Sequence, residues 1–171
     1  MLFYHPFLDP YHCSYRMLRI LRTIGESEVE QERFRAFDFY LLFPHALDSA
    51  RLPQKDARKI RKLLKQYDDR YELLPDQRRM FIRLAPIQNA AFRHLASLKL
   101  IDEVALNHSI VKAGESPIDG ELLKSIDISN ARDKEFLESL TSSFLAIPFY
   151  GENGVRSRLD LFDDRYDDTP T

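Results

Sequence analysis

The chain has 171 residues, 44% of them hydrophobic, with 25 Lys and Arg against 27 Asp and Glu and a net charge of −2. That length suits one domain of roughly 100–200 residues and excludes most multi-domain enzymes; such a chain buries roughly 70% of its unfolded surface and needs no staples. Balanced charge excludes both a strongly basic nucleic-acid coat and an acidic disordered chain, and the single Cys13 excludes an internal disulfide or a cysteine zinc site, favouring a reducing compartment, by default the cytoplasm.

His5, Pro6, Asp9 and Pro10 break the apolar stretch a signal peptide needs. The densest apolar run, Phe37 to Phe43, already contains Asp38 and falls far short of the roughly 20 residues of a membrane span. Residues 11–24 then read as a first helix: Asp9 can cap it, Pro10 suits its first turn and Gly25 can end it, with Tyr11, Ser14, Tyr15, Leu18, Leu21 and Ile24 recurring at helical steps. Arg16, Arg19 and Arg22 follow on a neighbouring strip and are expected to face water or a partner. A second helix is expected over 28–43. Its acidic first turn complements the helix dipole, and Phe34, Phe37, Tyr40, Leu41 and Phe43 surround so much of the cylinder that it should be the hub of the core.

Helical periodicity returns over 55–71, with Ile60, Leu63, Leu64 and Tyr67 as a narrow apolar stripe, and over a shorter segment, 75–84, punctuated by Pro86. Residues 87–101 read as a separate helix burying Ala90, Ala91, Leu95 and Leu98. Residues 100–111 hold two short apolar runs about an Asn-His-Ser break, suiting either two small strands or one irregular loop. Helices over 118–125 and 133–145 follow, with Asp119 and Asn130 as candidate caps. The fold class is therefore mainly α (α+β): one compact helical domain over 1–150, with a winged-helix-like β-hairpin as an option near 100–112. Residues 151–171 are polar and are expected to form a mobile C-terminal tail.

The strongest local charge signal spans Arg51 to Lys65. Arg51, Lys55, Arg58, Lys59, Arg61, Lys62 and Lys65 stand against Asp56 alone, a net of +6 in a chain whose total is −2. Lys55, Arg58, Lys62 and Lys65 follow a 3-4-3 spacing, so they can track a phosphate backbone together, or dock an acidic protein, while Ile60, Leu63 and Leu64 face the core. Fixed positive charge reads phosphates without reading sequence. Tyr4, Phe7 and the 147–150 stretch with Phe149 and Tyr150 fall outside or at the ends of helices and are candidate partner anchors, together with Arg16 and Arg19.

Catalytic signals are weak. His5, Asp9 and His12 lack further ligands to complete a metal site, so capping and packing explain them better. Cys13 adjoins His12, but neighbouring helical residues point about 100° apart, and a buried or half-buried thiol is expected. The chain has no Gly-x-Ser-x-Gly elbow, Gly-rich phosphate loop or His-Glu-x-x-His motif. No catalytic residue, cofactor, metal or small-molecule substrate is expected. The aromatics from Phe34 to Phe43 sit at helical spacing and read as core rather than as a base-stacking platform.

The run Tyr4-His5-Pro6-Phe7-Leu8-Asp9-Pro10-Tyr11-His12, followed by Arg16, Leu18 and Leu21, together with Phe39-Tyr40-Leu41-Leu42-Phe43-Pro44, resembles the middle component of bacterial ABC-three-component systems. These include the Lamassu type of anti-phage and anti-plasmid defence. The resemblance covers about the first 50 residues, with Asp9, Pro10, His12, Arg16 and Pro44 at its signature positions. It implies a small non-catalytic subunit, often winged-helix-like, that joins an SMC-like ATPase to a nuclease effector and reaches DNA through the complex. The competing expectation is a stand-alone winged-helix regulator whose helix over 87–101 enters a DNA groove.

Overall fold

The computed structural model describes residues 8–67 and 76–162. Helix α1 runs Pro10–Ile24; the Tyr11 N–H donates to Asp9 Oδ1 at 2.8 Å, and Pro10 occupies the first turn. Gly25 ends it at φ +62°, a left-handed conformation that glycine reaches without a Cβ penalty, and its N–H closes on Leu21 O. The expected one-sided stripe is too narrow. Tyr11 is 78% exposed, whereas Cys13, Met17 and Ile20 are fully buried, because α1 packs against four other helices.

Strand β1 (Val29–Glu30) precedes α2 (Gln31–Leu42), so the second helix begins later than its acidic residues suggest. The helix is the expected hub. Phe34, Phe37 and Phe39 are fully buried and meet rings from two other helices: Phe34 lies 5.8 Å from Phe92, Phe37 stacks 6.0 Å from Phe144, and Phe39 meets Phe81 edge-on at 5.7 Å. Edge-to-face and offset pairs like these add about 0.5–1.5 kcal/mol each to ordinary area burial. Pro44 then opens a 3-10 helix, Pro44–Ser49, and α3 follows at Gln54–Leu64.

Where two helices are expected on either side of Pro86, there is one, α4 (Gln77–Ser97). A proline inside a helix forfeits a backbone bond and costs about 3 kcal/mol. Phe81 and Leu84 before it, and Ala91, Phe92 and Leu95 after it, are all buried, mainly against α1. At about 1.5–3 kcal/mol for each large side chain, that burial outweighs the proline.

After α4 the chain makes α5 (Glu103–Asn107) and β2 (Ile110–Val111). The β-structure near 100–112 is distributed across the chain: β2 pairs antiparallel with β1, Val29 opposite Val111 and Glu30 opposite Ile110, while Ile101 makes a single bridge to Ala113. Gly114 closes this turn, since a Cβ there would lie 2.1 Å from the Lys99 carbonyl oxygen. Helices α6 (Gly120–Arg132) and α7 (Lys134–Leu145) complete the bundle. Asp119 caps α6 as expected, accepting from the Glu121 and Leu122 N–H groups. Asn130 does not cap α7; it lies within α6 and bonds to α1.

The domain boundary expected at residue 150 is corrected for residues 151–162. Helix α8 (Val155–Arg158) and the residues after it return to the core, where Val155, Leu159, Leu161 and Phe162 are buried. Polar composition hides this because four spaced apolar side chains suffice to anchor a largely polar segment. Residues 163–171 lie outside the described residues.

Candidate phosphate-binding face

Among the described residues, the cations include buried counter-ions, exposed members of ion pairs and exposed side chains without an ion pair. Arg16 and Arg19, expected to reach solvent or a partner, are instead buried. Arg16 forms a bidentate pair with Asp38, Nε to Oδ1 at 2.7 Å and Nη2 to Oδ2 at 3.3 Å; Gln88 Nε2 donates to the same carboxylate at 2.8 Å. Arg35 donates to Gln88 Oε1 at 2.8 Å and lies over the Phe81 ring, extending the network across α1, α2 and α4. An isolated charge at the fully buried Asp38 would be prohibitive, so Arg16 is the counter-ion the core requires.

Arg19 is likewise structural. It donates to Asp133 Oδ2 at 2.6 Å, Asn130 Oδ1 at 2.9 Å and the Ser129 carbonyl at 3.1 Å, tying α1 to the α6–α7 junction. Arg33 holds the end of α7 through the Phe144 and Ile147 carbonyls; its Nε lies 2.8 Å from Glu30 Oε2 but off the N–H axis. Asp38, Gln88, Arg33 and Arg35 were missed as a set. The signal for the first was present: a carboxylate inside an aromatic run demands a buried partner.

Among the other predicted site residues, Phe149 is buried, its ring beneath the Arg33 guanidinium and beside Phe162, so it is no partner anchor. Tyr150 is 57% exposed. Tyr4 and Phe7 lie outside the described residues. Cys13 is fully buried; burial first and the Asp38 carboxylate second push its thiol far above the ordinary range, so it stays protonated.

The basic helix is different. Lys55, Arg58, Lys59, Arg61, Lys62 and Lys65 are all exposed, and among the described residues none makes an ion pair. Ile60, Leu63 and Leu64 bury the opposite side of α3, chiefly against α7. Lys55–Lys59, Arg58–Lys62 and Arg61–Lys65 are like-charged i,i+4 pairs, which together cost on the order of 1 kcal/mol. A face that keeps this repulsion without internal compensation is complementary to external anions. Arg51 stands apart: its guanidinium donates to the Ser157 carbonyl and its backbone N–H to Arg158 O, so it clasps α8 to the start of α3.

An open cleft of about 440 Å³ between α1, α6 and α7 is lined by charges that neutralise each other, Arg22 with Asp127 and Lys134 with Glu138. Among the described residues, no group of three or more His, Cys, Asp or Glu could hold a metal, and no helix is long and apolar enough to cross a membrane.

A model of the ABC-three component (ABC-3C) system Middle Component 5 family matches residues 2–167. The chain belongs to that family. The match runs through the buried Arg16–Asp38 pair, the basic face of α3 and the returning α8 segment alike. As the middle component of a multi-protein system, this protein has protein partners. Comparison with curated proteins and with solved structures found no match. The segment that the regulator reading would place in a DNA groove is the second half of α4 in this middle component, its Ala91, Phe92 and Leu95 turned into the bundle.

Proposed function

We propose that this middle component is a non-catalytic accessory subunit of a bacterial defence complex, bridging an SMC-like ATPase and a nuclease effector in the cytoplasm and touching DNA through α3. The observation that carries the reading is the set of six exposed cations along α3 and its C-cap that make no ion pair among the described residues, whereas Arg16 and Arg19 serve as buried counter-ions and Arg51 holds α8. Phosphate contact needs only such fixed charge, held at helical spacing on an anchored helix. The protonated, buried state of Cys13 supports a structural rather than a nucleophilic thiol.

Each phosphate neutralised contributes about 0.9 to the slope of log K against log salt concentration. Arg58→Glu with Lys62→Glu is therefore expected to weaken DNA association by the assembled complex and to flatten that slope by about 2. Positions 58 and 62 stay like-charged, but each gains opposite charges three residues away, at Lys55 and Arg61 and at Lys59 and Lys65, so the fold should be at least as stable, which thermal melting would report. A salt titration identical to that of the unaltered complex would assign α3 to solvent or to protein docking.

A further inference from the structure

A second cationic surface, of different chemistry, lies on α4. Its 21 residues include Arg78, Arg79, Arg83, Arg93 and His94 but no aspartate or glutamate. Arg78 is engaged with Asp160 at 2.7 Å. Arg79, Arg83 and Arg93 are exposed and make no ion pair among the described residues. The nearest carboxylate before the helix, Asp76, is at the N-cap, where it accepts the Arg79 backbone N–H. Between the arginines, Ile82 is 56% exposed and Pro86 is exposed.

The contrast with α3 is one of composition as well as position. The α3 face carries four lysines and two arginines, and its large apolar side chains all turn inward. The α4 face has arginine without lysine around an exposed aliphatic side chain. Protein interfaces are enriched in Arg and depleted in Lys, and their strongest contacts gather about a desolvated apolar centre. Arg79 and Arg93 are fourteen residues apart, about 21 Å along the helix, enough to accommodate a helical partner segment of similar length.

The helix is also held rigidly. Gln88 ties it to Asp38, and Phe81, Leu84, Phe92 and Leu95 are buried, so the outer face is fixed before any partner arrives. We propose that this face, centred on Ile82 and flanked by Arg79, Arg83 and Arg93, docks an acidic amphipathic segment of a protein component, separately from the α3 surface. Asp or Glu side chains of that segment would pair with the arginines, and an apolar side chain would cover Ile82. The proposal rests on the reading of the chain as an assembly subunit.

The test co-expresses the protein with the other two components of its own three-component system and measures what it retains. Retention of both by the unaltered chain checks the assembly reading; if neither is held, that reading and this proposal fall together. Given retention, Arg79→Glu with Arg83→Glu, and separately Ile82→Asp, should each lower capture of one component by about tenfold or more. Arg58→Glu with Lys62→Glu should leave capture unchanged, and circular dichroism should show the same helicity in all variants. Undiminished capture by both α4 variants overturns the proposal. So does intact assembly with weakened DNA binding, which would make α4 a phosphate surface, or loss confined to self-association, which would make the occupant a second copy of this chain.

Discussion

Asp38→Ala is expected to destabilise the protein by about 3–5 kcal/mol, the usual consequence of removing one partner of a buried ion pair. The Asp38 side chain is fully buried and that of Arg16 is 10% exposed, so water cannot take the place of the lost carboxylate. Both Arg16 bonds and the Gln88 bond at 2.8 Å vanish together, leaving a guanidinium charge without its counter-ion among the phenylalanines of α2. Domains of this size are stable by about 5–15 kcal/mol, so this change alone brings the fold close to its limit. Removing both charges, as Arg16→Met with Asp38→Leu, is expected to cost less than Asp38→Ala alone, because no unpaired charge remains. Urea denaturation of the three proteins checks this ordering. A cost below about 1 kcal/mol for Asp38→Ala would show that the charge is tolerated without its partner.

Ending the chain after Gly151 is expected to have a still larger effect. It removes Val155, Leu159, Leu161 and Phe162, all buried, and leaves Phe81 and Phe149 without the Phe162 ring at 5.3 and 5.7 Å. At about 1.5–3 kcal/mol for each large apolar side chain, the loss is about 6–12 kcal/mol as an upper bound. It also removes the Arg156–Glu32 pair at 2.5 Å and the Arg51–Arg158 backbone bond. The shortened chain should therefore lack a cooperative thermal transition. Phe162→Ala, a smaller lesion, should cost about 3–5 kcal/mol and still fold. A truncated protein that melts cooperatively at the original temperature would mean that residues 152–162 do not stabilise the bundle.

These two sites also mark where the sequence was legible and where it was not. Local signals worked where one physical effect dominated: Asp9, Pro10 and Gly25 bounded α1, and the aromatics of α2 declared a helix surrounded by core. They failed where distant packing overrode them. Pro86 reads locally as a break, but the apolar residues on both sides of it pack into the bundle. Arg16 and Arg19 read as solvent-facing because a helical strip of arginines carries no information about carboxylates 22 and 114 residues away. The strand partner of β2, at Val29–Glu30, is equally remote. The basic face of α3 was visible because clustering of charge is local, whereas its lack of ion pairs among the described residues became apparent only once the acidic side chains there were placed.

The bridging role is tested most directly by the assembly itself, measured by light scattering on the other two components of this protein's three-component system with and without the chain. One particle containing all three components is expected when the chain is present, and two separate species when it is omitted. The same particle forming from the other two components alone would contradict the bridging role.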